Sequence, residues 1–187
     1  HYPLRRQRQM CIRDRINDVL DFSKIDAGKL ELDTATFDLE EAIFDVMDML
    51  SPLAAQKHID MAFYYADNVP KHVVGDALRF KQILTNLISN AIKFTPDGEI
   101  IVRARMEQDD IGQCLLHFSV QDSGIGLSGT DRKKLFESFS QGDASVTRQF
   151  GGTGLGLAIS KQLVHLMQGQ IGFEDNQERA PTEKGST

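Results

Sequence analysis

From Asp76 onward, apolar residues recur at helical spacing: Phe80, Ile83, Leu84, Leu87, Ile88, Ala91 and Ile92. The pattern predicts one long amphipathic helix, closed by the stop-and-turn signal Thr95-Pro96-Asp97-Gly98. Before it, Ile16 to Leu32 reads as a helix with Ile16, Val19, Leu20, Ile25 and Leu32 along one side and Gly28 as its weak point. Phe37-Asp38-Leu39 reads as a short strand or the start of a helix. Glu40 to Lys57 reads as an amphipathic helix with Pro52 placed to kink it. Ile59 to Ala66 has the content of a strand, and Asn68-Val69-Pro70 breaks it. After the long helix, Glu99 to Glu107 and Cys114 to Gln121 read as two strands joined by the polar stretch Gln108 to Gln113. A short helix is expected over Thr130 to Phe136, a loop over Ser138 to Gly152, a helix over Gly154 to Met167 and a closing strand over Gln170 to Glu174. Helices and strands mix without regular βαβ alternation, which predicts an α+β fold of two layers, a sandwich.

Composition narrows this picture. With 187 residues, 41% apolar and 26% charged, the chain can build a full core with an appendage. No apolar run approaches the roughly 20 residues of a membrane span, and no signal-peptide pattern opens the chain. A net charge of -6 argues against a nucleic-acid surface. Cys11 and Cys114 form no metal or redox pattern, so a reducing, cytoplasmic setting is expected. Residues 1–15 are basic in an acidic chain, and Met10 to Arg15 resembles a translated adapter sequence. They are set apart as anomalous and of doubtful native origin.

Three features carry candidate chemistry. The polar face of the long helix holds Arg79, Gln82, Asn86, Asn90 and Lys93. A solvated face is one reading. Asparagine is a poor helix former, however, and two of them four residues apart point the same way. An amide oxygen there suits a magnesium ion beside phosphates. Asp122-Ser123-Gly124-Ile125-Gly126-Leu127 follows a strand; it reads as a tight turn, or as a carboxylate aimed at an exocyclic amine with glycines that let a ring approach. Gly151-Gly152-Thr153-Gly154-Leu155-Gly156-Leu157 opens a helix; it reads as a flexible hinge, as an anion site at a helix N-terminus, or as both. It lacks the Lys-Ser/Thr of a Walker loop.

Together NLISNAIKFT, DSGIGL, LFESFSQ and GGTGLGLAIS resemble, in order, the motifs of the ATP-binding domain of sensor histidine kinases, over about Thr36 to Glu174. INDVLDFSKIDAGKLEL resembles the end of that family's second dimerisation helix, especially in hybrid kinases. The resemblance implies the sandwich shared with gyrase and heat-shock chaperone ATPases, with a mixed sheet and helices on one face. It divides the chain into residues 16–35, the end of the dimerisation helix, and 36–187, the catalytic domain. It implies ATP and Mg²⁺ as cofactors. Asn90 would coordinate the metal, and Lys93 would neutralise phosphate charge. Asn86 would stand where the related ATPases hold a water-activating Glu. Phe94 would pack by the adenine, and Asp122 would hold its amine beside Gly124, Gly126 and Leu127. Gly152, Thr153, Gly154, Leu155 and Gly156 would wrap the triphosphate; Arg148, with Thr147 in the lid, would reach a phosphate. Phe136 and Phe139 would anchor that lid.

The resemblance also implies a parent that dimerises through its dimerisation helices, is anchored in the inner membrane, and passes phosphate to a response regulator receiver domain. This chain itself would touch neither membrane nor nucleic acid. Two departures stand out. No histidine here has the acidic residue and Arg-x-Pro that follow the family's phosphoacceptor, so the acceptor is expected outside the chain. The family's last strand follows Gly-Ser-Thr, where this chain stops at Gly185-Ser186-Thr187, so a truncated C-terminal edge is expected. The rival readings are a nucleotide-sensing or docking module without transfer, a gyrase-like hydrolase, and a related serine kinase.

Overall fold

The computed structural model describes residues 20–21, 23–110, 113–126 and 155–174. They form β1 (Ala35–Asp38), α1 (Leu39–Ala55), β2 (Ile59–Tyr65), β3 (His72–Gly75), α2 (Ala77–Phe94), β4 (Gly98–Asp110), β5 (Gln113–Asp122) and α3 (Gly156–Leu166). The two long helices begin on aspartate caps. The Asp38 carboxylate accepts the Glu41 N–H at 3.0 Å, and the Asp76 carboxylate accepts the Arg79 N–H at 3.0 Å. Glu40 and Glu41 add negative charge to the first turn of α1, where the helix dipole favours it. That helix runs past Pro52 to Ala55. α2 stops at Thr95, whose extended backbone is what the following Pro96 demands.

A mixed sheet of order β2-β4-β5 forms one layer. β2 runs parallel to β4 from the pair Ile59 and Gly98, and β4 runs antiparallel to β5 with Val102 opposite Val120. Ile100, Val102 and Ala104, alternate residues of β4, are buried against the helical layer. Leu39, Ile43 and Val46 of α1 and Phe80, Leu84, Ile88, Ala91 and Ile92 of α2 close that core. A second, smaller cluster joins Ile83 to Leu155, Ile159 and Leu163, with Ile25, Leu30 and Leu87 at its edge. α2 is therefore apolar over a wide arc. One side faces the sheet, the other faces α3 and the N-terminal segment.

The expected α+β sandwich is present, and three local expectations change. The strand β3, which pairs antiparallel with β1, was not foreseen, because four residues are too few to show a period. The N-terminal helix expected to reach Leu32 ends at Asp26, with Ala27 and Gly28 in the turn that closes it. Gly28 sits at φ +63°, Gly28 N–H bonds Ile25 O, and Lys29 N–H bonds Lys24 O. That pair of bonds around a left-handed residue is a Schellman stop, so the glycine is the helix's end and not a weak point within it. Residues 170–174, expected as a closing strand, make no ladder; Gly169 and Gly172 leave little side chain to hold one. The expectations for residues 1–19, for the helix at 130–136 and for the loop at 138–152 lie outside the described residues.

Candidate functional site

The second half of α2 carries the candidate site, and two other segments are docked against it. From Asn86 to Phe94 the helix advances about 12 Å at its usual rise. Asn86, Asn90, Lys93 and Phe94 are all half-buried. They stand at the boundary between the apolar arc and solvent, where a ligand can be both gripped and reached.

The C-terminal end of this stretch meets the Asp122 loop. Phe94 O accepts the Ile125 N–H at 3.3 Å, and the Asp122 carboxylate accepts the Gly124 N–H at 2.9 Å. A β-carbon on Gly124 would lie 2.5 Å from Phe94 O and 2.7 Å from the Asp122 carboxylate, so only glycine lets the loop come this close. The turn reading of Asp-x-Gly-x-Gly is thus realised. The same turn brings Asp122 and Phe94 together, as the nucleotide reading requires. Ser123 fastens the loop from the other side: its Oγ accepts the Glu99 N–H at 2.9 Å, and its N–H donates to Glu99 O at 3.1 Å. Gly126 takes φ +69°, which an L side chain resists.

The other end meets the start of α3. Asn86 Nδ2 donates to Gly156 O at 3.2 Å and to the buried Ser160 Oγ at 3.3 Å. A β-carbon on Gly156 would stand 3.4 Å from Asn86 Oδ1. Asn86 and Gly156 are thus brought together, and the amide N–H groups of Asn86 hold the two helices in place. Ser160 is a partner that sequence reading missed; its spacing from Gly156 along α3 was the available signal.

Between these docked ends lie Asn90 and Lys93. The Asn90 amide has no hydrogen-bond partner among the described residues. The Lys93 ammonium lies 4.7 Å from the centre of the Phe94 ring and has no carboxylate partner among the described residues. Burial holds the Lys93 pKa below its ordinary value. A half-buried cation without an anion beside an unpartnered amide is a site suited to a phosphate chain. No group of three His, Cys, Asp or Glu side chains able to hold a metal occurs among the described residues. The Asn90 amide oxygen is a neutral donor of the kind that can share a Mg²⁺ ion with ligand phosphates.

Leu155, expected to help wrap a triphosphate, is buried in the smaller core cluster and faces α2. Leu127, Arg148, Gly152, Thr153 and Gly154, with Phe136, Phe139 and Thr147, lie outside the described residues. Lys57 was also missed: it reaches the last carbonyls of α2 from the turn after α1.

Over residues 75–187 the chain matches the family described as histidine kinase-, DNA gyrase B- and HSP90-like ATPases. It is 50% identical over 159 residues to the sensor histidine kinase GacS of Pseudomonas protegens, covering 85% of this chain and 17% of that protein. It is 41% identical over 167 residues to the signal transduction histidine-protein kinase BarA of Escherichia coli, covering 89% of this chain and 18% of that protein. The chain thus spans less than a fifth of the length of these relatives. Among solved structures it is similar to full-length ShkA in complex with AMPPNP, with TM-score 0.70 and 36% identity over 82% of this chain and 30% of that one.

Proposed function

The chain belongs to the histidine kinase-, DNA gyrase B- and HSP90-like ATPase family, and we propose that it is the ATP-binding catalytic part of a sensor histidine kinase. Residues 16–35 are assigned to the end of the dimerisation segment, and residues 36–187 to the catalytic domain. The observation that carries the reading is the Asn90 and Lys93 face of α2, without hydrogen-bond or carboxylate partners among the described residues and set between the Asp122 loop and the N-terminus of α3. In this reading Asp122 and Phe94 receive the adenine, Lys93 neutralises phosphate charge, and Asn90 holds Mg²⁺. The metal supplies charge neutralisation on the transferring phosphoryl group. In the same reading the glycine-rich stretch leading into α3 would supply backbone N–H groups to the triphosphate.

The reaction assigned is transfer of the ATP γ-phosphoryl to a histidine. None of His1, His58, His72, His117 and His165 is followed by an acidic residue and Arg-x-Pro, so the acceptor is placed outside this chain. In the parent, a dimer at the inner membrane would pass the phosphoryl on to an aspartate of a response regulator. Among the described residues no helix is long and apolar enough to cross a membrane. Transfer needs positioning and charge neutralisation more than covalent chemistry by the protein. Asn86 supports transfer over hydrolysis. Its amide cannot take a proton from water, and its N–H groups are engaged by Gly156 and Ser160.

The test is calorimetric titration of the chain with Mg²⁺ and a non-hydrolysable ATP analogue. Binding is expected in the chain as it stands. Asn90→Ala is expected to remove the magnesium-dependent part while leaving the melting temperature unchanged. Equal affinity in the two chains would defeat the metal assignment.

A further inference from the structure

The turn between α1 and β2 carries no recognised motif, yet it delivers a cation to the end of the site helix. Lys57 Nζ donates to Ile92 O at 2.7 Å, to Lys93 O at 3.0 Å and to Thr95 O at 3.4 Å. These are carbonyls of the last turn of α2 and its cap, where intrahelical donors run out and partial negative charge collects. An ammonium has three N–H donors, and here each finds a carbonyl. The three carbonyls flank that of Phe94 on both sides. Phe94 O is left to accept the Ile125 N–H of the Asp122 loop.

The fold explains why residue 57 arrives there. The parallel ladder begins with Ile59 beside Gly98, so the residues just before β2 fall next to the end of α2. The turn is held by Lys57 N–H to Ala54 O at 2.9 Å and His58 N–H to Ala55 O at 3.1 Å. His58 takes φ +56°, a conformation that a β-carbon disfavours, so packing and not local preference fixes this turn.

We propose that Lys57 is a positioning residue of the nucleotide site. By fixing the carbonyls of Ile92, Lys93 and Thr95 it holds the helix end to which the Asp122 loop is docked. This role rests on the nucleotide reading of α2. Without the ammonium, the last turn loses its donors, Phe94 O moves, and the Asp122 loop loses its dock on α2.

The experiment uses the whole 187-residue chain. Lys57→Met and Lys57→Arg are compared with Val46→Ala, a core change on the remote part of α1. Each is titrated with Mg²⁺ and the ATP analogue, and amide exchange is followed at Ile125 and across residues 92–95. Lys57→Met is expected to weaken binding about tenfold and to speed exchange at Ile125 by a similar factor, the scale usual for residues that orient a ligand-binding group. Lys57→Arg should recover most of the affinity, because a guanidinium also donates to several carbonyls. Val46→Ala should lower the melting temperature without moving Kd. Unchanged Kd and Ile125 exchange in Lys57→Met, beside a parent that binds, would overturn the positioning role alone. Equal loss of affinity in Val46→Ala would overturn it too, by reducing the effect to stability. A parent that binds no analogue would overturn the nucleotide reading and this role with it.

Discussion

The two halves of α2 treat their polar residues differently. In the first half nearly every polar group is engaged. Asp76 accepts the Arg79 N–H and, from 43 residues away, the Asp33 N–H at 3.0 Å. Arg79 donates to Asp21 at 2.7 Å and to Gln82 at 2.7 Å, Gln82 donates to Asp21 at 3.0 Å, and Lys81 pairs with Asp45 at 2.6 Å. In the second half Asn90 and Lys93 lack such partners among the described residues, and the buried Thr95 Oγ1 has none there either. Folding uses the polar groups of the first half. In the second half Asn86 and Ser89 are engaged, while Asn90 and Lys93 stay half-buried without such partners among the described residues. That difference is what the proposed nucleotide site rests on.

Substitutions can break this contrast, and Gly124→Ala should have the largest effect. Its β-carbon would strike Phe94 O, a backbone atom that cannot retreat, and the Asp122 carboxylate, which would have to give up its bond to the Gly124 N–H. Analogue binding should weaken about 100-fold, roughly 2.7 kcal/mol by titration calorimetry. An unchanged Kd would detach the loop from the site. Asp76→Ala should act on the other half. It removes the helix cap and the anchor of Asp33 together, so denaturant unfolding should show a loss of about 2 kcal/mol. Its Kd should not move at a concentration and temperature where the chain stays folded; a large change there would mean that the two halves are not independent.

Lys93→Met should separate stability from binding. Affinity is expected to fall about tenfold, since one desolvated cation beside phosphates is lost. Stability of the ligand-free chain should rise, because an unpaired, half-buried ammonium is replaced by an apolar chain. The pH dependence follows from the same cause. Burial lowers the Lys93 pKa below the ordinary 10.5, so between the folded value and 10.5 the unfolded chain binds more protons. The contribution of this group therefore becomes more favourable as pH rises through that window, and it is least favourable below it. Comparing unfolding free energies of the two chains across alkaline pH checks the sign: the gap should narrow as pH rises. The smallest effect is expected for Thr95→Val. It removes a buried, unpartnered hydroxyl at nearly constant shape, and stability should rise by about 0.5 kcal/mol in thermal unfolding. A clear loss would show that the hydroxyl has a partner in solution.

Much of this was written in contiguous residues. The arc from Phe80 to Ile92 fixed α2, Asp76 fixed its start, and Thr95-Pro96 fixed its end, because period and caps are local properties. The Asp122 turn was legible for the same reason, since the aspartate and the glycine that it caps are two residues apart. Asn86, Asn90 and Lys93 could be set on one face by counting turns.

The partners of those residues could not be found that way. Asn86 meets Gly156 and Ser160 across 70 and 74 positions, and Lys57 meets Ile92 across 35. Such meetings depend on which helices lie side by side and on the register of a parallel ladder, and neither leaves a periodic trace in the chain. Tertiary structure likewise decided that His72–Gly75 forms a strand, and that Asn90 and Lys93 have no such partners among the described residues. A short-range pattern states what a segment prefers to be. Only the packing of distant segments determines which of its polar groups remain available.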